Sequence, residues 1–186
     1  MAVMLRPLKP SDSLEALTAL LHRAYARLGA MRLNYTAVDQ SVQTTRARFA
    51  SGQGFVIEDG GAPVGCVVVA GPFDAAKNPG TRRSPWYLRR DVAHLHQLAV
   101  DPARQGQRLG DTLVAACEAW AREHGFRAIA LDTAEPAHHL RARYARMGYV
   151  EVDHMQWDGK RYRSLILVKP LDGAMPGTDA AEHRCA

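Results

Sequence analysis

Cysteine is scarce in this chain: Cys66, Cys117 and Cys185 are its only three, far apart and odd in number. Such a set supports neither a disulfide framework nor a zinc cluster, and it fits a reducing compartment. No apolar run approaches a membrane span, and Met1–Pro10 lacks the apolar core of a signal peptide, so a cytoplasmic protein without a membrane partner is expected. Internal repeats are absent. Acid is in deficit, with 19 Asp and Glu against 24 Lys and Arg, a formal charge of +5. That surplus favours anionic partners without choosing between a nucleic acid and a phosphorylated cosubstrate. Only Thr81–Arg90 gathers arginines beside aromatics, and it reads as a solvated loop. With no recognised nucleic-acid motif, binding to nucleic acid ranks last.

What is present describes one soluble domain with a sizeable core, since hydrophobic residues make up 47% of 186 positions. Val3–Leu8 is extended and ended by prolines. Ser11 or Ser13 can cap a helix whose Leu14, Leu17, Leu20, Leu21 and Tyr25 recur at helical spacing. A second helix is expected over Asp39–Phe49. Phe55–Glu58 and Pro63–Ala70 read as strands joined at Asp59-Gly60-Gly61. Gly71–Asp91 reads as a long irregular loop and Ala93–Val100 as the next strand. Gly110–His124 and Ala137–Met147 are amphipathic helices stopped by glycines, with the strand Phe126–Leu131 between them. Tyr149–Trp157 and Tyr162–Lys169 form a terminal hairpin. The reading is a single domain over 1–171 with a disordered, Gly- and Ala-rich tail over 172–186. The order β-α-α-β-β-β-α-β-α-β-β mixes hairpins with crossover helices, which predicts an α/β fold with a mixed sheet covered on both faces.

The most informative stretch is Leu98-Ala-Val-Asp-Pro-Ala-Arg-Gln-Gly-Gln-Arg-Leu-Gly110. An apolar strand passes through a basic, glycine-containing turn into a long helix. That arrangement aims free backbone N–H groups and a helix N-terminus at one point, which suits a phosphate or pyrophosphate.

Three motifs in order give the chain its family likeness. They are Leu98-Ala-Val-Asp-Pro with Gln105-Gly-Gln-Arg-Leu-Gly110, then Ala128-Ile-Ala-Leu-Asp-Thr-Ala134, then Tyr144-Ala-Arg-Met-Gly-Tyr149. Over roughly residues 3–170 the chain resembles the GNAT superfamily of N-acetyltransferases. The resemblance implies a single-domain, largely antiparallel sheet of about seven strands flanked by four helices. It also implies acetyl-CoA as cosubstrate, an amine acceptor on a small molecule or protein, no metal, and a possible homodimer. Leu98, Ala99 and Val100 map to the strand whose N–H groups hold the pantetheine. Gln105, Gly106, Gln107, Arg108, Leu109 and Gly110 map to the pyrophosphate loop. Tyr144 maps to the general acid. Two positions depart from the family pattern: Arg108 stands where glycine is usual, and Ala137 where an asparagine often contacts the cofactor arm, with His138 and His139 following.

Acetyl transfer to an amine calls for a base, and His94 and His96 are the titratable residues of an otherwise apolar strand. Alternation places both on one face, together with Leu98. Counting back from Leu98, the resemblance aligns His94 with the glutamate base of some histone acetyltransferases. A hydrogen-bonded, partly buried pair is the competing reading. The acceptor side is implied around Arg27–Gln40, including Arg32, Tyr35 and Asp39, and Met155–Tyr162. Arg32 or the Arg82–Arg90 loop is a candidate to hold an acceptor carboxylate. A non-catalytic acyl-CoA-binding sensor on the same scaffold is the alternative function.

Overall fold

Serine caps set both N-terminal helices. In the computed structural model, which describes residues 3–177, the Ser13 hydroxyl accepts the Ala16 N–H and opens helix α1, Leu14–Ala30. Ser41 accepts the Thr44 N–H and opens α2, Val42–Phe49. Each cap satisfies an amide that the first helical turn leaves without a carbonyl. The second helix therefore starts later than Asp39, after a separate 3₁₀ turn over Thr36–Val38. Helices α3, Leu109–Glu123, and α4, His138–Arg146, end at Gly125 and Gly148, whose φ values of 77° and 88° carry no Cβ penalty in glycine.

Seven strands form one sheet: β1 Met4–Pro7, β2 Gln53–Asp59, β3 Ala62–Ala70, β4 Val92–Val100, β5 Ala128–Ala134, β6 Val150–Met155 and β7 Ser164–Pro170. Their order is β1-β2-β3-β4-β5-β7-β6. Only β4 and β5 run parallel, because α3 carries the chain from one to the other; every other pair is antiparallel. The mixed α/β architecture with four α-helices agrees with the sequence reading.

Alternation along β3 divides the core. Cys66 and Val68 face α1 and α2, packing with Leu17, Leu20, Leu21 and Phe49. Val67 and Val69 face the opposite way, toward Leu113 and Cys117 of α3 and Tyr144 of α4. Cys66 and Cys117 are buried free thiols, while Cys185 lies outside the described residues.

The irregular loop expected over Gly71–Asp91 and the solvated one expected over Thr81–Arg90 are observed only in part. Residues 71–91 contain two 3₁₀ turns, Pro79–Arg83 and Pro85–Tyr87. Trp86 and Tyr87 are buried against Val92, Ala130, Ile166 and Val168. Arginines on either side hid this anchor, since composition averages over residues that point in opposite directions. The tail expected over 172–186 falls largely outside the described residues. Within its described part, Asp172 pairs with Arg127 at 3.0 Å and the Gly177 carbonyl accepts from Arg89 at 2.6 Å.

Candidate active site

The site begins with an irregularity in β4. Gln97 adopts φ 57°, and between the pairs Val68↔His96 and Cys66↔Ala99 strand β4 spends one residue more than β3. This β-bulge shifts the alternation by one. His94 and His96 do share a face, but Leu98 packs on the opposite one, with the α3 cluster. The expectation that all three face together is corrected: strict period-2 counting cannot see an inserted residue. The bulge is held by a buried polar chain in which Gln40 Nε2 donates to Gln97 Oε1 at 2.9 Å and to Thr45 Oγ1 at 2.8 Å.

Just ahead of the bulge the sheet opens. Pairing between β4 and β5 runs only from Val92↔Ala128 to His94↔Ala130, whereas β5 stays paired with β7 through Ala134. Leu95–Val100 therefore has no strand partner on its β5 side. Two tyrosines cap the separated edges. The Tyr25 hydroxyl donates to the Leu98 carbonyl at 3.1 Å, and Tyr35 Oη accepts the Ala134 N–H at 2.7 Å. Burial raises the pKa of both hydroxyls, which keeps them protonated.

A cleft of about 1020 Å³ fills the opening. At one end lies the N-terminus of α3. The N–H groups of Gly106, Gln107, Arg108, Leu109 and Gly110 have no acceptor among the described residues, while the Arg108 carbonyl accepts from Asp111 and Thr112. Consecutive free amides at a helix start attract an anion. Arg108 holds the left-handed conformation that glycine adopts freely, φ 60° and ψ 13°, and its side chain is 86% exposed beside Asp111. Gly110 permits a close approach: a Cβ there would collide with the guanidinium of Arg143, which donates to Asp111 at 2.8 Å.

Of the residues singled out from sequence, Leu98, Ala99, Val100, Gln105, Gly106, Arg108, Leu109, Gly110 and Tyr144 all line this cleft. Gln107 is exposed and does not line it. Tyr144 meets Tyr149 edge-on at 5.7 Å, and its hydroxyl has no partner among the described residues. Burial pushes its pKa up to about 12. Ala137 is fully buried and offers no polar group, whereas His139, two residues on, reaches the cleft.

His94 and His96 are not brought to the cleft. His94 is 2% exposed, stacked on Tyr87 at 5.2 Å with Phe73 at 5.0 Å, and neither ring nitrogen has a partner. Burial pushes its pKa down to about 3, and that of His96 likewise. His96 Nε2 reaches Ser51 Oγ at 3.2 Å. Both imidazoles are neutral, but only His94 is sealed; His96 is half-buried and keeps one hydrogen bond, to Ser51.

Tyr35 lines the cleft, but Arg32 and the Arg82–Arg90 loop do not. Arg83 is taken up by Asp158 at 2.7 Å and Arg89 by Asp91 at 2.8 Å. Sequence reasoning missed Tyr25, counted as an apolar helix position, and Asp132, the one charged residue of β5 and a lining residue of the cleft. A lone carboxylate inside an otherwise apolar strand is the signal that pointed to it. Among the described residues no cluster of three or more His, Cys, Asp or Glu is arranged for a metal, and no helix is long and apolar enough to cross a membrane.

Comparison with known proteins agrees with this geometry. The profile of the Acetyltransferase (GNAT) family matches residues 15–149. The fold is similar to that of the ribosomal-protein-S18-alanine N-acetyltransferase from Escherichia coli, at 18% identity and a TM-score of 0.67 over 97% of this chain and 99% of that one. An N-acetyltransferase from Staphylococcus aureus Mu50 aligns at 18% identity and a TM-score of 0.68, covering 92% and 99% of the two chains. A GNAT family acetyltransferase from Elizabethkingia anophelis, solved with acetyl-CoA bound, aligns at 14% identity and a TM-score of 0.63, covering 90% and 97%. No curated protein matches the chain in sequence. With the family profile spanning most of its length and the splayed sheet in place, the chain belongs to the GNAT acetyltransferase family.

Proposed function

We propose that this chain is an acetyl-CoA-dependent N-acetyltransferase acting on a primary amine of a small molecule or protein. The observation that carries the reading is the splay of β4 from β5 opening directly onto five free amides at the start of α3. The cleft of about 1020 Å³ is lined at once by the Gly106–Gly110 turn, whose amides suit a pyrophosphate, and by the Leu98–Val100 edge, which suits a pantetheine arm. The neighbour from Elizabethkingia anophelis, of the same fold, carries acetyl-CoA.

In this reading the neutral amine attacks the thioester carbonyl directly. A nitrogen–carbon bond forms, and backbone N–H groups of the β4 edge stabilise the oxyanion. As the intermediate collapses, the carbon–sulfur bond breaks and its electron pair goes to sulfur, which takes the Tyr144 hydroxyl proton. The proton lost by nitrogen leaves through water, and Tyr144 is reprotonated from solvent. A tyrosine at about 12 is a poor acid toward a thiol in water, but burial raises thiols too. Neither histidine lines the cleft, so solvent is the simpler route for the amine proton.

Thermal shift with acetyl-CoA, followed by thiol release on an amine panel, tests the reading. Tyr144→Phe is expected to lower kcat by roughly 10²–10³-fold while the acetyl-CoA Kd stays unchanged. Unaltered turnover removes the acid role. Binding without thiol release on any amine favours the acyl-CoA sensor.

A further inference from the structure

Three carboxylates line the cleft: Asp111, Glu118 and Asp132. Two are neutralised. Asp111 pairs with Arg143 at 2.8 Å, and Glu118 with Lys169 at 2.9 Å. Asp132 is exposed to the cleft and has no ion-pair partner among the described residues; the Trp157 indole N–H donates to it at 3.2 Å. In a chain of net charge +5, with Arg23, Arg104, Arg108, Arg143, Arg146 and Lys169 on the same walls, a carboxylate free of cations stands out.

What surrounds Asp132 is aromatic. Tyr25, Tyr35 and Tyr144 line the cleft beside it. Tyr35 packs against Tyr25 at 5.6 Å and Tyr162 at 5.0 Å, and Trp157, bound to the carboxylate, meets Tyr87 at 5.4 Å. Burial raises the hydroxyl pKa of Tyr25, Tyr35, Tyr87, Tyr144 and Tyr162, and the Asp132 charge adds to each. One negative charge is thus within electrostatic reach of five tyrosines. Alternation along β5 puts Asp132 on the sheet face of Ala130, where Tyr87 and His94 also pack. Tyr87 Oη and both His94 nitrogens are buried there without partners. Tyr87 lies close enough to Asp132 to feel its charge, and the exposed carboxylate keeps acceptor capacity open to a molecule other than the protein.

The geometry points to Asp132 as the anchor for the acceptor's ammonium group, with Tyr35 and Trp157 flanking the body of a monocationic amine whose carbon skeleton is apolar. A cation between aromatic rings and a carboxylate gains from both, and the gain grows as water is excluded. Arg27 also lines the cleft, while two other cations near this side are already engaged. Lys160 Nζ already donates to the Asn34 carbonyl at 2.7 Å and Thr36 Oγ1 at 3.0 Å, and Arg83 is held by Asp158. This inference rests on the acetyl-transfer reading and specifies its acceptor. Asp132 lies on the splayed β5, across from the Leu98–Val100 edge, and the ammonium it holds there loses a proton to water before the neutral amine attacks the thioester.

The test uses the whole chain without acetyl-CoA, comparing phenethylamine with the neutral 2-phenylethanol by tryptophan fluorescence and calorimetry. Wild-type protein is expected to bind the amine at least about tenfold more tightly than the alcohol. Asp132→Asn, which keeps side-chain size, is expected to bring the two ligands within about twofold while the acetyl-CoA Kd is unchanged. Equal binding of both ligands by wild-type protein overturns the assignment, as does an amine preference that survives in the variant. An Asp132-dependent amine preference with no acetyl transfer supports the anchor and defeats only the reading it was built on.

Discussion

Arg108 holds a backbone conformation that costs an L side chain roughly 1–2 kcal/mol and glycine nothing. Its exposed guanidinium returns little, because an ion pair at 3.5 Å in solvent contributes under about 1 kcal/mol. Arg108→Gly relieves the strain but enlarges the unfolded ensemble by about 0.5–1 kcal/mol, so its net effect on a urea midpoint is expected to be a small stabilisation. Acetyl-CoA affinity is expected to fall a few-fold, on the order of 1 kcal/mol, as one cation leaves the loop. A stability loss beyond about 1 kcal/mol shows instead that the side chain holds the turn together. At this scale the sequence exposed the anomaly, an arginine in a glycine position, but not its sign. Spacing likewise found Tyr144, whereas the burial that sets its acidity comes from residues distant in the chain. For His94 and His96 the residue type suggested chemistry, and the absence of any water-accessible edge on His94 withdraws it from the cleft.

Elements were legible where local rules govern them. A serine cap at the first helix, helical spacing and terminal glycines located the four helices, because each depends on contacts inside one turn, while the Ser41 cap of α2 went unread. Two features of strand and loop escaped. The β4 bulge at Gln97 depends on Gln40, 57 positions away, so no window along the chain contains both halves of its cause. The 71–91 segment is anchored by Trp86, which packs on strands far along the chain and stacks under Arg89 at 5.2 Å. If that anchor fixes the segment, Trp86→Ala costs about 3 kcal/mol by calorimetry, in line with loss of a buried aromatic. A cost below about 0.5 kcal/mol returns the segment to the status of a solvated loop.

For the molecule as a whole, the buried histidines couple stability to pH. In the native state both are pushed down, to about 3, from an ordinary value of 6.5. The unfolded chain therefore binds protons that the native state refuses. Above pH ~6.5 both are neutral in either state and the contribution is complete; it is lost as pH falls toward the native value. For sealed His94 the loss is about 3 kcal/mol between roughly pH 6.5 and 4. His94→Phe, which suits the space between Phe73 and Tyr87, is expected to flatten urea-derived stability over that range by a comparable amount. A variant with the acid sensitivity of wild type shows that His94 already takes up a proton in the folded state.

The sequence by itself determined the order of elements and the strand–turn–helix at Leu98–Gly110, since caps, periodicity and turn chemistry act over a few residues. Tertiary structure alone decided what the cleft is made of. The splay of β4 from β5 releases the edges that Tyr25 and Tyr35 then cap, and the bulge turns Leu98 away from the histidines. It also leaves Asp132, of three cleft carboxylates, without a cation. Which charges are paired is set by distances between segments remote in the chain, and no local rule encodes a distance.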